Sequence, residues 1–345
     1  MDKNMKIVFF GAGSIGQSVG AWVSQHHDNV FFIDRGEVAQ TMKEKGLTIY
    51  QQGNENNPLH LKLKVLDDIS EAADADVIVI GVKNFSLDAV CNMIKSKVGD
   101  KSVIIAMQNG IENQKIIPDY FSKAIYCVIG YNAWFDEPGK LGYQKKGPLI
   151  FGTINNELRD EMTQIAEVFN KGVETIIVDH IQDAAHSKLI INLTNSLTTL
   201  TGLGFHEISD MSIFQKLLTN LLYEGTKIAR AAGYKECKIG GMPPWSLMKM
   251  GATLPQFLTR GMFINNVKKM VISSMAQDII QRGGHDTELE TINGYFLNLA
   301  DALGIHAPYN KTIYKLCKQE FSKPVFSPLD VKDIWTEVIK TLAGE

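Results

Sequence analysis

The fold is decided by Lys6-Ile-Val-Phe-Phe-Gly11-Ala-Gly-Ser-Ile-Gly16. Residues 6–10 form a short apolar, β-prone run of the kind that makes a fully buried strand. Three glycines follow with G-x-G-x-x-G spacing, and residues 17–26 then read as a helix. In that strand–loop–helix setting each glycine has a task. Gly11 allows the tight turn, Gly13 lets the backbone approach a pyrophosphate, and Gly16 lets helix and strand come close. Ala12, Ser14 and Ile15 complete the candidate cofactor loop. The phosphates would rest on the helix N-terminus, where unpaired N–H groups and the helix dipole favour anions. A glycine turn of purely structural use would carry the same letters; the setting favours a dinucleotide.

Working outward, a second strand over residues 29–33 ends in Asp34-Arg35-Gly36, about 20 residues past the loop. An acidic side chain there suits the ribose 2′-hydroxyl of NAD, and an arginine suits the 2′-phosphate of NADP. Both types are present, so this stretch alone leaves the choice open. Further strands are expected over 59–65, 77–80 and 103–106, with helices over 87–97 and 112–119. The alternation implies a parallel, doubly wound sheet that binds ligands at the strands' carboxyl ends. Lys83 and Asn109 fall on that edge and are candidate cofactor contacts; a surface lysine is the plain alternative for Lys83. Residues 126–130 and 149–152 read as antiparallel edge strands around a polar loop through Pro138-Gly139. A helix over 157–170 and a strand over 174–178 close a first domain, 1–180.

Beyond that point strand signals largely vanish. Helical patterns run through 183–200, 213–232, 265–281, 288–303, 310–318 and 330–342, giving an all-helical second domain, 181–345. Residues 235–261, rich in Gly, Pro and Met, read as an irregular connection with short helical pieces.

Composition excludes several classes. The chain has 345 residues, about two domains, with 45% hydrophobic and 21% charged residues, as in ordinary globular proteins. A formal charge of −3 gives no electrostatic case for nucleic acid or an anionic membrane. The cysteines Cys91, Cys127, Cys237 and Cys317 are scattered without a CxxC pair, which argues against zinc or a disulfide framework and fits a reducing cytoplasm. No metal site and no membrane span are expected.

The second domain begins with Lys188-Leu-Ile-Ile-Asn-Leu-Thr-Asn-Ser-Leu-Thr-Thr-Leu200. At about 100° per residue, Lys188, Asn192, Asn195 and Thr199 share one narrow stripe of an otherwise apolar helix. Such a helix is usually buried, and an amine and two carboxamides buried without partners cost several kcal/mol, so they must face partners or a ligand. The plain alternative is a surface helix whose stripe meets water.

These residues bear a resemblance. The chain resembles the ketopantoate reductase family, NAD(P)H-dependent 2-ketoacid reductases with a Rossmann domain and a helical C-terminal domain. The likeness runs through residues 11–16, Arg35-Gly36, Val82-Lys83, Gln108-Asn109-Gly110, Lys188-Leu-Ile-Ile-Asn192, Ser273-Ser-Met-Ala-Gln-Asp278, Thr287-Glu-Leu-Glu-Thr-Ile-Asn-Gly294 and Gly304-Ile-His-Ala-Pro308-Tyr-Asn310. The resemblance implies that Lys188 donates the proton as hydride reaches the carbonyl carbon, and that Asn192 binds the substrate. Asn195 would do the same, although it stands seven residues after the lysine where the family's second asparagine stands eight. Ser274 is implied as a substrate hydroxyl donor. Glu288 is implied as the acid that contacts the nicotinamide ribose and orients Lys188. Lys83 and Asn109 are implied as cofactor contacts, and Arg35 favours NADP(H), with NAD(H) kept open by Asp34. Plainer roles exist: Glu288 as a helix cap, Ser274 as a hydroxyl bonded to its own helix.

The implied reaction is NADPH-dependent reduction of a 2-keto acid to a 2-hydroxy acid, foremost 2-dehydropantoate to (R)-pantoate in pantothenate biosynthesis. Two rivals stand beside it: an NAD-dependent D-2-hydroxyacid dehydrogenase of mandelate or isocaproate type, and a non-catalytic dinucleotide-binding redox sensor. The partner expected is a small 2-keto acid. A homodimer through the helical domain is left open.

Overall fold

The computed structural model describes residues 4–11, 13–284 and 287–344; Ala12 of the candidate loop lies outside the described residues. The chain forms two compact units, Met1–Ala185 with Ile239–Gly241 and His186–Lys238 with Met242–Glu345.

The first unit contains the strands β1 (Ile7–Phe10), β2 (Val30–Ile33), β3 (Leu47–Gln51), β4 (Leu59–Leu61), β5 (Val77–Ile80), β6 (Val103–Ala106), β7 (Ala124–Ile129), β8 (Ala133–Glu137), β9 (Lys140–Tyr143), β10 (Leu149–Gly152) and β11 (Thr175–Ile177). A seven-stranded sheet runs β11-β10-β7-β6-β5-β1-β2. β1 pairs in parallel with β2 on one side and β5 on the other, Ile7 facing Val30 and Val77. The winding direction therefore reverses at β1, and ligands of open α/β sheets bind in the crevice at such a point. β1, β5 and β6 are nearly uninterrupted buried Val/Ile/Phe/Ala, as strands covered on both faces must be.

Three expectations need correction. Residues 59–65 do not form a strand of this sheet. β4 pairs antiparallel with β3 in a separate four-stranded sheet, β4-β3-β9-β8, and Val65 alone bridges to Phe32 of β2. The polar loop at Pro138-Gly139 is the turn of the β8–β9 hairpin, with Gly139 at φ +79°. At the far edge only the β7–β10 pair is antiparallel; β7 runs parallel to β6, and β11 parallel to β10.

The second unit is helical: residues 186–192 of a helix spanning Ile181–Asn192, then Thr194–Leu200, Met211–Ala231, Trp245–Thr253, Gln256–Val267, Tyr295–Ala302, Pro308–Phe321 and Val331–Gly344. Asp210 caps the Met211–Ala231 helix, accepting from the N–H groups of Ser212 and Ile213. The single helix expected over 265–281 is instead two pieces. The first stops at Val267, and Ser273 caps a new start by accepting from the Ala276 N–H at 3.1 Å. Buried Glu224 accepts from Tyr309 N, Asn310 N and Asn310 Nδ2 at the start of the Pro308–Phe321 helix. That is the structural work of the Pro308-Tyr-Asn310 motif, and burial pushes the Glu224 carboxyl up to about 7.

Candidate active site

In the first unit the glycine loop is shaped by what cannot fit there. Gly11 has φ +74°, and a Cβ on it would meet Val82 Cγ1 at 2.2 Å. A Cβ on Gly81, at the end of β5, would meet the Gly11 carbonyl oxygen at 2.6 Å, and one on Gly16 would meet it at 3.3 Å. Side chains are thus excluded where β1, β5 and the helix Ser14–Ser24 converge. That helix starts on Gly13 with no side chain capping it, so its first N–H groups can serve an anion. The Ser14 hydroxyl donates to the Ala133 carbonyl at 3.1 Å, leaving its backbone, like that of Ile15 in the same first turn, as the group a phosphate would meet. The cradle fits a dinucleotide pyrophosphate.

Around this edge the other candidates take distinct positions. Asp34 is half-buried and its carboxylate accepts the Arg35 N–H at 2.8 Å; the Arg35 side chain is exposed. Lys83 and Asn109 are both half-buried at the carboxyl ends of β5 and β6. Two residues not singled out from the sequence hold this edge together. Buried Gln108 donates from Nε2 to the carbonyls of Ile80 (2.8 Å) and Val82 (3.1 Å), and Asn84 donates to the Asn109 carbonyl at 2.8 Å. Both struts tie β5 to β6. Only the polar Gln108-Asn109 pair at a strand end hinted at them.

In the second unit the polar stripe lies on a broken helix. Leu193 separates Ile181–Asn192 from Thr194–Leu200. Thr194 and Ser196 each donate to the carbonyl three residues back, at 2.7 Å, and Thr198 does so at 3.2 Å. Such back-bonding bends helices. Lys188 is half-buried, and desolvation pulls its ammonium down to about 8, opposed by the Glu288 carboxylate. A lysine in that range gives up a proton far more readily than a solvated one. Asn192, one turn on, is 6% exposed and its carboxamide has no hydrogen-bond partner among the described residues. A nearly buried amide with its bonds unmade calls for a ligand.

Lys188, Asn192, Asn195, Ser274 and Glu288 all lie in the second unit, in different surroundings. Asn195 is half-buried beyond the break. The position eight residues after the lysine is Ser196, wholly buried, which donates to Leu193 O and accepts from Asn293 Nδ2. Ser274 is exposed; it is Ser273 that meets the stripe, its hydroxyl 3.3 Å from that of Thr199. The sequence offered both serines side by side, and only the helix start at Ser273 distinguishes them. Among the described residues no group of three or more His, Cys, Asp or Glu is placed to hold a metal ion, and no helix is long and apolar enough to cross a membrane.

Residues 7–156 match the family model described as ketopantoate reductase PanE/ApbA, and residues 180–320 match its C-terminal counterpart. A 2-dehydropantoate 2-reductase of Pyrococcus horikoshii is 28% identical over 320 residues, covering 92% of this chain and 98% of the relative. In fold the chain is similar to D-mandelate dehydrogenase in its ternary structure with NADH and anilino(oxo)acetate, with TM-score 0.73, 21% identity, and coverage of 94% of this chain and 100% of that one. It is also similar to a dimeric ketopantoate reductase from Staphylococcus aureus, with TM-score 0.68, 20% identity, and coverage of 92% and 100%.

Proposed function

Because this chain belongs to the ketopantoate reductase family of NAD(P)-dependent oxidoreductases acting on CH–OH groups, we propose that it reduces a 2-keto acid to the 2-hydroxy acid, with 2-dehydropantoate as substrate and NADPH as preferred cofactor. The observation that carries this reading is Lys188. It is an amine whose desolvation, countered by Glu288, brings its pKa down to about 8, and one turn later stands a nearly buried asparagine with no hydrogen-bond partner among the described residues.

The bound nicotinamide supplies the hydride. Lys188, protonated near neutrality, hydrogen-bonds the keto oxygen and delivers its proton there as negative charge builds. That interaction strengthens toward the transition state, so it raises turnover more than affinity. Asn192 orients the substrate through its carboxylate or hydroxyl. Glu288 keeps Lys188 charged in a site that would otherwise favour the neutral amine, and contacts the nicotinamide ribose. Asn195 and Ser274 are secondary substrate contacts, reached only if the substrate extends past the helix break. The backbone of residues 11–16 holds the pyrophosphate. Lys83 and Asn109 line the nicotinamide and ribose end of that edge, and exposed Arg35 pairs with the 2′-phosphate as a planar fork. We propose a homodimer through the helical domain; the similar ketopantoate reductase from S. aureus is described as dimeric.

One observation favours a second reading. Ser196 stands where the resemblance calls for asparagine and is bonded into the core, so the substrate grip differs beyond the helix break. A bulkier 2-keto acid with NADH, as in D-mandelate dehydrogenase, is the reading this supports. Steady-state rates with 2-dehydropantoate and phenylglyoxylate, each with NADPH and NADH, separate the two. Highest kcat/KM for 2-dehydropantoate with NADPH supports the first reading; phenylglyoxylate with NADH supports the second.

A further inference from the structure

Residues 287–294 meet the broken helix at two points. At one end Glu288 acts electrostatically on Lys188. At the other end Asn293 donates from Nδ2 to Ser196 Oγ at 3.0 Å, and Ser196 Oγ donates in turn to the Leu193 carbonyl at 2.7 Å. The bond chain ends on the residue at which the helix breaks. Asn293 is 0% exposed, yet its Oδ1 has no partner among the described residues. A half-satisfied buried carboxamide lowers stability, and a leucine of nearly the same shape would have no such defect. Asn293 also lies within a π-helical turn, Glu290–Gly294, and π-turns are frequent at functional sites.

We propose that Asn293 and Ser196 form a buried clamp that registers residues 287–294 against the broken helix, making Asn293 a positioning residue for the Lys188–Glu288 pair. The clamp rests on the role assigned above to Lys188. It acts eight residues along the helix from the lysine and five along the second segment from the glutamate. With both ends held, Glu288 cannot drift from Lys188 without breaking the Asn293–Ser196 bond or unwinding the π-turn. Glu288 is the charged group that acts on Lys188 among the described residues. Four other titratable groups of the same unit have partners of their own. Glu224 accepts from Asn310, Tyr295 bonds His186 at 2.7 Å, Tyr234 stacks on the His186 ring, and Cys317 donates to the Ser196 carbonyl at 3.6 Å.

The direct test follows the titration of the Lys188 amine by carbon-13 NMR in ε-labelled protein, the signal assigned with Lys188→Arg. Wild type is compared with Asn293→Leu, Ser196→Ala and Glu288→Gln, and kcat is measured from pH 6 to 10 in parallel. Loss of the clamp lets Glu288 relax, and its support for the charged amine weakens. Asn293→Leu and Ser196→Ala should therefore lower the Lys188 pKa by about half a unit to one unit, in the same direction as Glu288→Gln but by less. The alkaline fall of kcat should move by the same amount, while the Asn293→Leu chain melts at or above the wild-type temperature. A Lys188 titration unchanged in both clamp variants, folded as wild type, overturns the proposal. If Asn293→Leu does not fold, Ser196→Ala decides, since it removes one hydroxyl; failure of both to fold makes the clamp purely structural and also overturns it. The titration needs neither substrate nor cofactor. A rate unchanged by loss of Lys188 therefore fails the catalytic reading and leaves the clamp as a positioner of the Lys188 titration only.

Discussion

The glycine loop of residues 11–16 and the broken helix of residues 181–200 are built on opposite principles. The loop works because side chains are missing: a Cβ at Gly11 would lie 2.2 Å from Val82 Cγ1. In the proposed function its work falls to backbone N–H groups at a helix start that no side chain caps, so a substitution there would act by obstruction. The helix instead carries particular side chains where burial makes them expensive. An amine desolvated to a pKa of about 8 and an unbonded, nearly buried carboxamide lie one turn apart. Damage to the first region should appear in cofactor affinity, and damage to the second in turnover.

The sharpest break of that contrast is Lys188→Ala. It should lower kcat about 10³-fold, as expected when a proton donor and its charge are removed together, with NADPH affinity within about twofold of wild type. Stopped-flow single turnovers and a fluorescence titration of NADPH read the two quantities. Gly11→Ala should do the reverse. Strain at φ +74° and the encounter with Val82 should weaken dinucleotide binding about 100-fold and leave the single-turnover rate at saturation within a few-fold. Equal losses of binding and turnover in both variants would erase the distinction. Asn192→Ala should cost about 30-fold in kcat/KM for the keto acid, the scale of one or two lost hydrogen bonds to a charged group, with NADPH affinity unchanged.

The smallest effect concerns stability within the helical unit. The folded-state pKa of Glu224, about 7, lies above the ordinary carboxyl value of 4.5. The folded chain therefore keeps a proton that the unfolded chain has released between those values, and stability falls as pH rises through that window. The fall should be about 1–3 kcal/mol in urea melts between pH 5 and pH 8, and Glu224→Gln should flatten it.

The same contrast explains what was legible in the sequence. Residues 6–16 could be read because strand, glycine spacing and helix are local patterns, and backbone chemistry follows from them. The alternation of β5 and β6 with their helices was legible for the same reason. The second sheet was missed because β3 pairs with β9, some ninety residues away, and no local pattern marks such a pairing. The polar stripe at Lys188 and Asn192 was visible in helical spacing, but not the break at Leu193. At that break Thr194 and Ser196 bond back to carbonyls, and Ser196 is held by Asn293 from a segment distant in sequence. Nothing local in the sequence tells Ser273 from Ser274; in the structure Ser273 caps the helix start and Ser274 is exposed.

The most direct measurement is the pH dependence of kcat for NADPH oxidation with 2-dehydropantoate, in wild type and Lys188→Ala. The account predicts a wild-type plateau at low pH and a fall of tenfold per pH unit above about 8, where Lys188 loses its proton. It predicts a low, flat profile in the variant. A wild-type rate independent of pH across that range, or a variant that keeps the wild-type rate and profile, would contradict it.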